Sequence, residues 1–193
     1  MELPTVYALW QAPFINAKFA PIRKHNDIAA ARRVLDVGCG PGTNTRLFEH
    51  ADYVGLDINP AYVAQAKKKY GRNFIVADVC TYDPPPQDHY DFVLLNSLLH
   101  HLDDASVDRI LRAVCGIIVE GGHVHIIDLV LPERRGMPRY LTLNDRGDYP
   151  RPFEIWRELL GHYYEPVVFE EFPVGWGRAE LWRMLYFKGR PKR

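Results

Sequence analysis

The chain has 193 residues, 47% of them hydrophobic and 25% charged, and its formal net charge is zero. That length suits one domain with a substantial buried core, and the balanced charge argues against broad electrostatic attraction to nucleic acid. Three cysteines, Cys39, Cys80 and Cys115, are odd in number and far apart, so they read as reduced thiols rather than a disulfide frame or a zinc site.

In chain order, the first feature is an aromatic stretch with Tyr7, Trp10, Phe14 and Phe19, followed by Arg23, Lys24 and His25. Trp10, Phe14 and Ala17 recur at helical spacing, which predicts a helix that lies across a site or packs on a sheet. Residues 1–30 are accordingly read as an N-terminal lid segment, ahead of a domain over residues 31–193. Met1-Glu2-Leu3-Pro4 lacks the basic-then-apolar start of an export signal. No apolar run reaches the roughly 18 residues of a membrane span. The expectation is a cytoplasmic protein.

Val34 to Val37 is an apolar run carrying one acid, Asp36, as a buried parallel strand does. Gly38, Gly40 and Gly42 follow on alternate positions, allowing a sharp turn and close approach of a ligand. A helix is expected next, presenting free N–H groups to the crevice. The dinucleotide fingerprint requires a sixth-position glycine, where this chain has Thr43, and the phosphate loop requires a lysine that does not follow Gly42.

Tyr53 to Asp57 reads as a second strand, and Pro60 opens a helix through Val63, Ala66 and Tyr70. Asn73 to Asp78 and Asp91 to Asn96 are a third and a fourth strand. Asp103 caps a helix with Val107, Ile110, Leu111 and Val114 on one face. Gly121-Gly122 turns into a fifth strand, His123 to Leu131. Arg134 to Arg151 is polar and turn-rich, residues 152–163 read as a helix, and Val167 to Phe172 and Leu181 to Phe187 read as two strands joined through Pro173 to Gly177. Alternating strands and helices predict an α/β three-layer sandwich around a parallel sheet, with ligands beyond the carboxyl ends of the strands. Asp57, Asp78 and Asn96 all fall at such ends.

With Gly38, Cys39, Gly40 and Gly42 in place, the loop resembles motif I of the class I S-adenosylmethionine-dependent methyltransferases, and the resemblance extends over roughly residues 30 to 187. It implies a Rossmann-like, seven-stranded, mostly parallel sheet with an antiparallel last strand, and S-adenosylmethionine as cofactor. In that family the loop passes under the methionine part of the cofactor. Asp57 matches the ribose-binding acid, with Ile58 beside it; the plain alternative is a helix cap. Asp78, with Val79 beside it, matches the acid near the adenine amino group, or caps a turn before Thr81. Asp36 and Asn96 stand near the methionine end, Asp36 either as an acceptor or as a support for the loop.

Methyl transfer depends on holding a nucleophile close and aligned, and an alcohol or phenol must also lose a proton. His100 and His101, in the loop after the fourth strand, are the candidate bases. Trp10 and Phe14, and Tyr140, Asn144, Arg146 and Tyr149 after the fifth strand, are the candidate substrate contacts, since long loops at this end of a sheet often carry function. Asp83-Pro84-Pro85-Pro86 precedes the fourth strand, where a DNA amino-methyltransferase motif would follow it, and no Pro-Cys nucleophile is present. His123 and His125 share a strand face without a third ligand, so no metal is expected. The expected activity is methylation of a small molecule, most readily at oxygen, without nucleic acid as partner; the alternative is a non-methylating, cofactor-binding member of the same fold.

Overall fold

The structure, a computed structural model, describes residues 14–145, 147–176 and 179–192. Two short helices, α1 (Ile15–Lys18) and α2 (Ala20–His25), precede strand β1 (Arg33–Val37). There follow β2 (Asp52–Asp57), α3 (Pro60–Tyr70), β3 (Asn73–Val76), β4 (Tyr90–Asn96), α4 (Asp104–Gly116) and β5 (Ile118–Leu129). The chain then forms α5 (Met137–Leu143), α6 (Phe153–Tyr163), β6 (Tyr164–Trp176) and β7 (Ala179–Pro191). One seven-stranded sheet has the order β3-β2-β1-β4-β5-β7-β6. Strands β1 to β5 are parallel and β7 runs antiparallel between β5 and β6, with Ile126 opposite Phe187.

Both faces of the sheet are covered, and this is why its central strands are apolar on successive residues. On one face Val107, Ile110, Leu111 and Val114 of α4 and Trp156 and Leu160 of α6 pack with Leu35, Val93 and Val124. On the other, Phe19 between the first two helices, Ile22 of α2, Phe48, and Val63 and Ala66 of α3 pack with Val34, Tyr53, Phe92 and Ile127. Each fully buried aliphatic or aromatic side chain of this kind contributes about 1.5–3 kcal/mol through removal from water. The caps match the sequence: Asn59 Oδ1 accepts the Ala61 N–H, and Asp103 Oδ1 accepts the Ser106 N–H at 2.8 Å.

Five expectations need correction. Strand β3 ends at Val76, so Asp78 lies in the turn beyond it. The span from Thr43 to Ala51 carries only a 3-10 turn, Thr45–Phe48, instead of a helix; the short crossover needs only to bury Phe48 before the chain re-enters the sheet. Residues 134–151 are not all turn, because α5 lies within them. Strand β5 starts at Ile118 and runs through Gly121-Gly122, ending at Leu129. Strands β6 and β7 are longer than their apolar stretches, since Pro173 to Trp176 remain paired with β7. Gly177 and Arg178, in the connection, lie outside the described residues.

The order reverses direction between β1 and β4. In open α/β sheets the crevice forms beyond the carboxyl ends of strands at that switch point, and there Val37, Asn96 and the loops after them meet.

Candidate active site

The glycine loop begins where β1 ends. Gly38 has φ 69°, and a Cβ there would come within 2.9 Å of the Leu98 side chain, so the position suits glycine on both counts. Three N–H groups of the loop are spent inside the protein. Cys39 N–H donates to Leu56 O, Gly42 N–H to Cys39 O, and Gly40 N–H to Asp57 Oδ2 at 2.8 Å. A phosphate cradle would need such groups aimed outward.

Asp57, the last residue of β2, also accepts the Asn59 N–H on Oδ1 at 2.8 Å. Each carboxylate oxygen retains a lone pair, so the side chain can still receive two hydroxyls. The hollow beside it is lined by Gly38, Asp57, Ile58, Asp78, Val79 and Leu98. Ile58 is 74% exposed, an unusual position for a large apolar side chain unless a flat ligand covers it. Asp78 accepts the Cys80 N–H on Oδ1 at 2.9 Å and keeps its second oxygen.

A buried polar chain runs from the core to the other side of the loop. Tyr53 O–H donates to Asp36 Oδ2 at 2.6 Å, and Asn44 Nδ2 donates to both Asp36 oxygens at 3.0 Å. Asn96 Nδ2 in turn donates to Asn44 Oδ1 at 2.9 Å. Burial pushes the Asp36 carboxyl up to about 6 against the pull of these hydrogen bonds. At the outer end, Asn96 Oδ1 is buried and has no partner. An unpaired buried acceptor costs about 1–3 kcal/mol, and an ammonium group in the crevice would satisfy it.

Asn96 also lines a second, largely apolar chamber, with Phe14, Lys18, Ser97, His100 and Trp182 among its walls. The two hollows adjoin at the turn after β4, where Ser97 faces the chamber and Leu98 the Asp57 hollow. His100 is 2% exposed. Its Nδ1–H donates to Asp128 Oδ1 at 2.5 Å, and its Nε2 lies 3.7 Å from Asp145 Oδ2. Asp128, at the end of β5, additionally accepts the N–H groups of Leu99 and Leu129. Burial opposes charge on both members of the pair. The mutual attraction prevails, holding His100 above its ordinary value and Asp128 below the usual carboxylate range. Across the chamber, Lys18 Nζ donates to Ser97 Oγ at 2.5 Å. Burial pushes the Lys18 ammonium down to about 8, although Asp128 and Asp145 pull the other way.

A methyltransferase-domain family model matches residues 34–122, the segment holding the glycine loop, Asp57, Asp78, Asn96 and the histidine pair. Over that segment the chain resembles methyltransferase domains. The trans-aconitate 2-methyltransferase of Methylobacterium radiotolerans is 30% identical over 171 residues, covering 82% of this chain and 63% of that one. That of Paracidovorax citrulli is 26% identical, covering 69% and 50%. The chain thus spans between half and just under two thirds of the length of these curated relatives. Among solved structures, the N-methyltransferase NodS of Bradyrhizobium japonicum, in complex with S-adenosyl-L-homocysteine, superposes with a TM-score of 0.74 at 14% identity, over 97% of this chain and 92% of that one. Human N-acetylserotonin methyltransferase, in complex with S-adenosylmethionine, gives 0.71 at 20% identity, over 98% and 55%. At these identities the likeness shows a shared fold.

The candidate residues divide sharply. Gly38, Asp57, Ile58, Asp78 and Val79 come together in one hollow, and Phe14, Asn96, His100 and His101 in the adjoining chamber. Asp36 faces Asn44 and Tyr53, so it supports the loop instead of contacting a ligand. Cys39 is buried, its Sγ packing where a Cβ on Gly55 would stand, and burial pushes its thiol far up. Gly42 is turned toward Tyr70 and Phe74 of the core. Tyr140, Asn144 and Tyr149 are not brought to the chamber. Tyr140 is 63% exposed, Asn144 donates through Nδ2 to Tyr140 O, and Tyr149 gives its N–H to His100 O. Trp10 and Arg146 lie outside the described residues.

The loop around them acts on the wall behind. Arg151 donates to Leu99 O at 3.1 Å and to Leu102 O at 2.8 Å, clamping the segment that carries His100. Sequence reasoning missed Lys18, Asn44, Ser97, Asp128 and Asp145. Asp128 had a readable signal, a carboxylate closing an apolar strand like Asp57. Lys18 is the lysine embedded in the aromatic N-terminal stretch, and that contrast was its only mark. His125, set aside as a metal ligand, is stacked on Phe92 with ring centroids 3.6 Å apart and hydrogen-bonded to Tyr186 Oη.

Proposed function

We propose that the protein is a methyltransferase that binds S-adenosylmethionine across the Gly38–Gly42 loop and methylates an oxygen of a small molecule held in the adjoining chamber. The observation that carries this reading is the junction at Asn96–Leu98, which puts a hollow with a carboxylate suited to a diol next to a largely apolar chamber with ionisable walls. When bound, the cofactor supplies a methyl group already activated by a sulfonium. Asp57 would accept the two ribose hydroxyls and Asp78 the adenine amino group, while Ile58 and Val79 flank the ring. Asn96 Oδ1 would accept a hydrogen bond from the methionine ammonium, held in place through Asn44, Asp36 and Tyr53.

The remaining residues position the acceptor and exclude water, which is much of what an in-line displacement requires. Phe14, Lys18 and Phe19 roof the chamber. For the described part of the N-terminal segment, residues 14–30, this supports a cover over the domain that follows, anchored by buried Phe19 and Ile22 and by Lys24 and His25 on Glu170 of β6. His100, with both ring nitrogens facing carboxylates, keeps the wall in charge balance and is poorly placed to take a proton. His101 stands exposed at the rim, its ring 4.0 Å from that of His100.

Incubation with methyl-labelled S-adenosylmethionine and a panel of phenols, quinones, carboxylic acids and amines tests the reading. Label should appear in an O-methyl product. Label only in N- or C-methyl products, or in none, would overturn it.

A further inference from the structure

The chamber's charges are more specific than a general acceptor site requires. Lys18 stands alone as a lysine or arginine among the described residues lining it. It reaches the chamber from α1 and ends on Ser97 Oγ, immediately after the residue that closes β4. Ser97 has φ 52°, a left-handed backbone conformation that non-glycine residues seldom adopt. Such local strain tends to persist where a site over-determines it. Here it sets the hydroxyl in contact with the amine, beside Asn96 and thus beside the expected cofactor.

The groups facing Lys18 are Ser97 after β4, His100 in the following turn, Asp128 at the end of β5 and Asp145 after α5. His100 is committed to the two carboxylates, whereas the amine's hydrogen bond goes to a hydroxyl that can donate or accept. Environment therefore pushes the two bases apart, raising His100 and lowering Lys18 toward the working range of a general base. The other walls include Phe14, Phe19, Leu129, Trp182 and Met184, which are flat or apolar.

We propose that Lys18 is the proton acceptor of the reaction, and that the methylated group is the hydroxyl of a neutral aromatic ring lying against Phe14, Phe19 and Trp182. An oxygen lone pair forms the new O–CH3 bond, the C–S bond of the sulfonium donor breaks with its electron pair left on sulfur, and the phenolic proton passes to Lys18 Nζ. Ser97 Oγ then accepts a hydrogen bond from the resulting ammonium. A phenol fits because its acidity lies close to that of an amine, while an aliphatic alcohol is far weaker. This inference rests on the methyltransferase reading and extends it to an acceptor class unlike the tricarboxylate named for the trans-aconitate relatives.

The test uses 4-nitrophenol as probe, with the whole protein and no turnover required. Bound to the wild type, the dye should give its yellow phenolate band at lower pH than in buffer, with an ionised fraction about tenfold higher on the acid side, equivalent to one pKa unit. Lys18→Met should bind S-adenosylhomocysteine as the wild type does but leave bound dye in its phenol form. If that variant fails to bind S-adenosylhomocysteine, Ser97→Gly replaces it; glycine suits the backbone, and loss of the hydroxyl should move the dye's ionisation partway back to its value in buffer. Wild-type protein that binds S-adenosylhomocysteine but no dye, or dye without the phenolate band, would overturn the proposal alone. So would an unchanged band in both variants, or displacement of the dye by equimolar trans-aconitate. Failure of the wild type to bind S-adenosylhomocysteine would instead overturn the methyltransferase reading beneath it.

Discussion

The two hollows that meet at Asn96–Leu98 are built by different means. The Asp57 hollow centres on a glycine turn and the ends of neighbouring parallel strands, with carboxylates fixed by N–H groups within two residues or one strand away. The acceptor chamber is made of side chains brought from α1, the turn after β4, the end of β5, the loop after α5, and β7. A site centred on one glycine turn and its strand ends keeps its form with short sequence signatures. A site assembled from distant side chains depends on a charge network, and its selectivity can change with one residue. Fold and cofactor are therefore common to a large family, while the acceptor is particular to the chain.

Breaking the network behind the chamber should have the largest effect. Asp128→Ala leaves His100 buried against a lost partner and frees two N–H groups, so it should destabilise the protein by about 3–5 kcal/mol in chemical denaturation. The pH dependence sharpens this. His100 is raised, so its stabilising charge is complete below its ordinary value of 6.5 and lost as pH rises through the higher folded value. Asp128 is lowered, so its contribution is present above its ordinary value of 3.8 and lost as pH falls through the folded value. The stability gap between wild type and Asp128→Asn should be widest between those ordinary values and narrow in alkali. A gap independent of pH would show that the pair is not ionised.

On the other side of the junction the effect should fall on binding. Asn96→Ala removes the unpaired acceptor and loosens Asn44; about 1.5–3 kcal/mol per hydrogen bond to a charged group corresponds to roughly ten- to a hundredfold weaker S-adenosylhomocysteine binding by calorimetry. The chamber itself should then be insensitive to the two tyrosines that sequence reading favoured. Tyr140→Ala and Tyr149→Ala should stay within about 0.5 kcal/mol of wild type in stability, as exposed positions do, and leave the methylation rate unchanged. A large loss of rate in either would return that tyrosine to the site.

This contrast also explains what was legible in the sequence. The alternation of strands and helices follows from apolar runs and capped helices, and Gly38, Asp57 and Asn96 stood out because strand ends are marked by a change from apolar to polar residues. Asp78 was read the same way, although β3 ends at Val76. The missing helix at Thr45–Phe48 escaped because Leu47 and Phe48 look the same in a helix as in one buried turn. His100 was visible, but its commitment to Asp128 and Asp145 required a pairing across 28 residues in one case and a loop contact in the other. Tyr140 and Tyr149 looked functional by composition, whereas Gly147 and Arg151 are the members of that loop that press on the His100 segment. Lys18 meets Ser97 across 79 residues, a distance that periodicity and spacing do not bridge.

In the proposed two-part site, Asp57 and the glycine loop form the cofactor half. The most direct measurement is a calorimetric titration of wild type and Asp57→Ala with S-adenosylhomocysteine. The wild type should bind one equivalent. The variant loses two charge-assisted hydrogen bonds, about 3–6 kcal/mol together, and should bind at least roughly a hundredfold more weakly. Equal affinity of the two proteins, or no binding to the wild type, would contradict it.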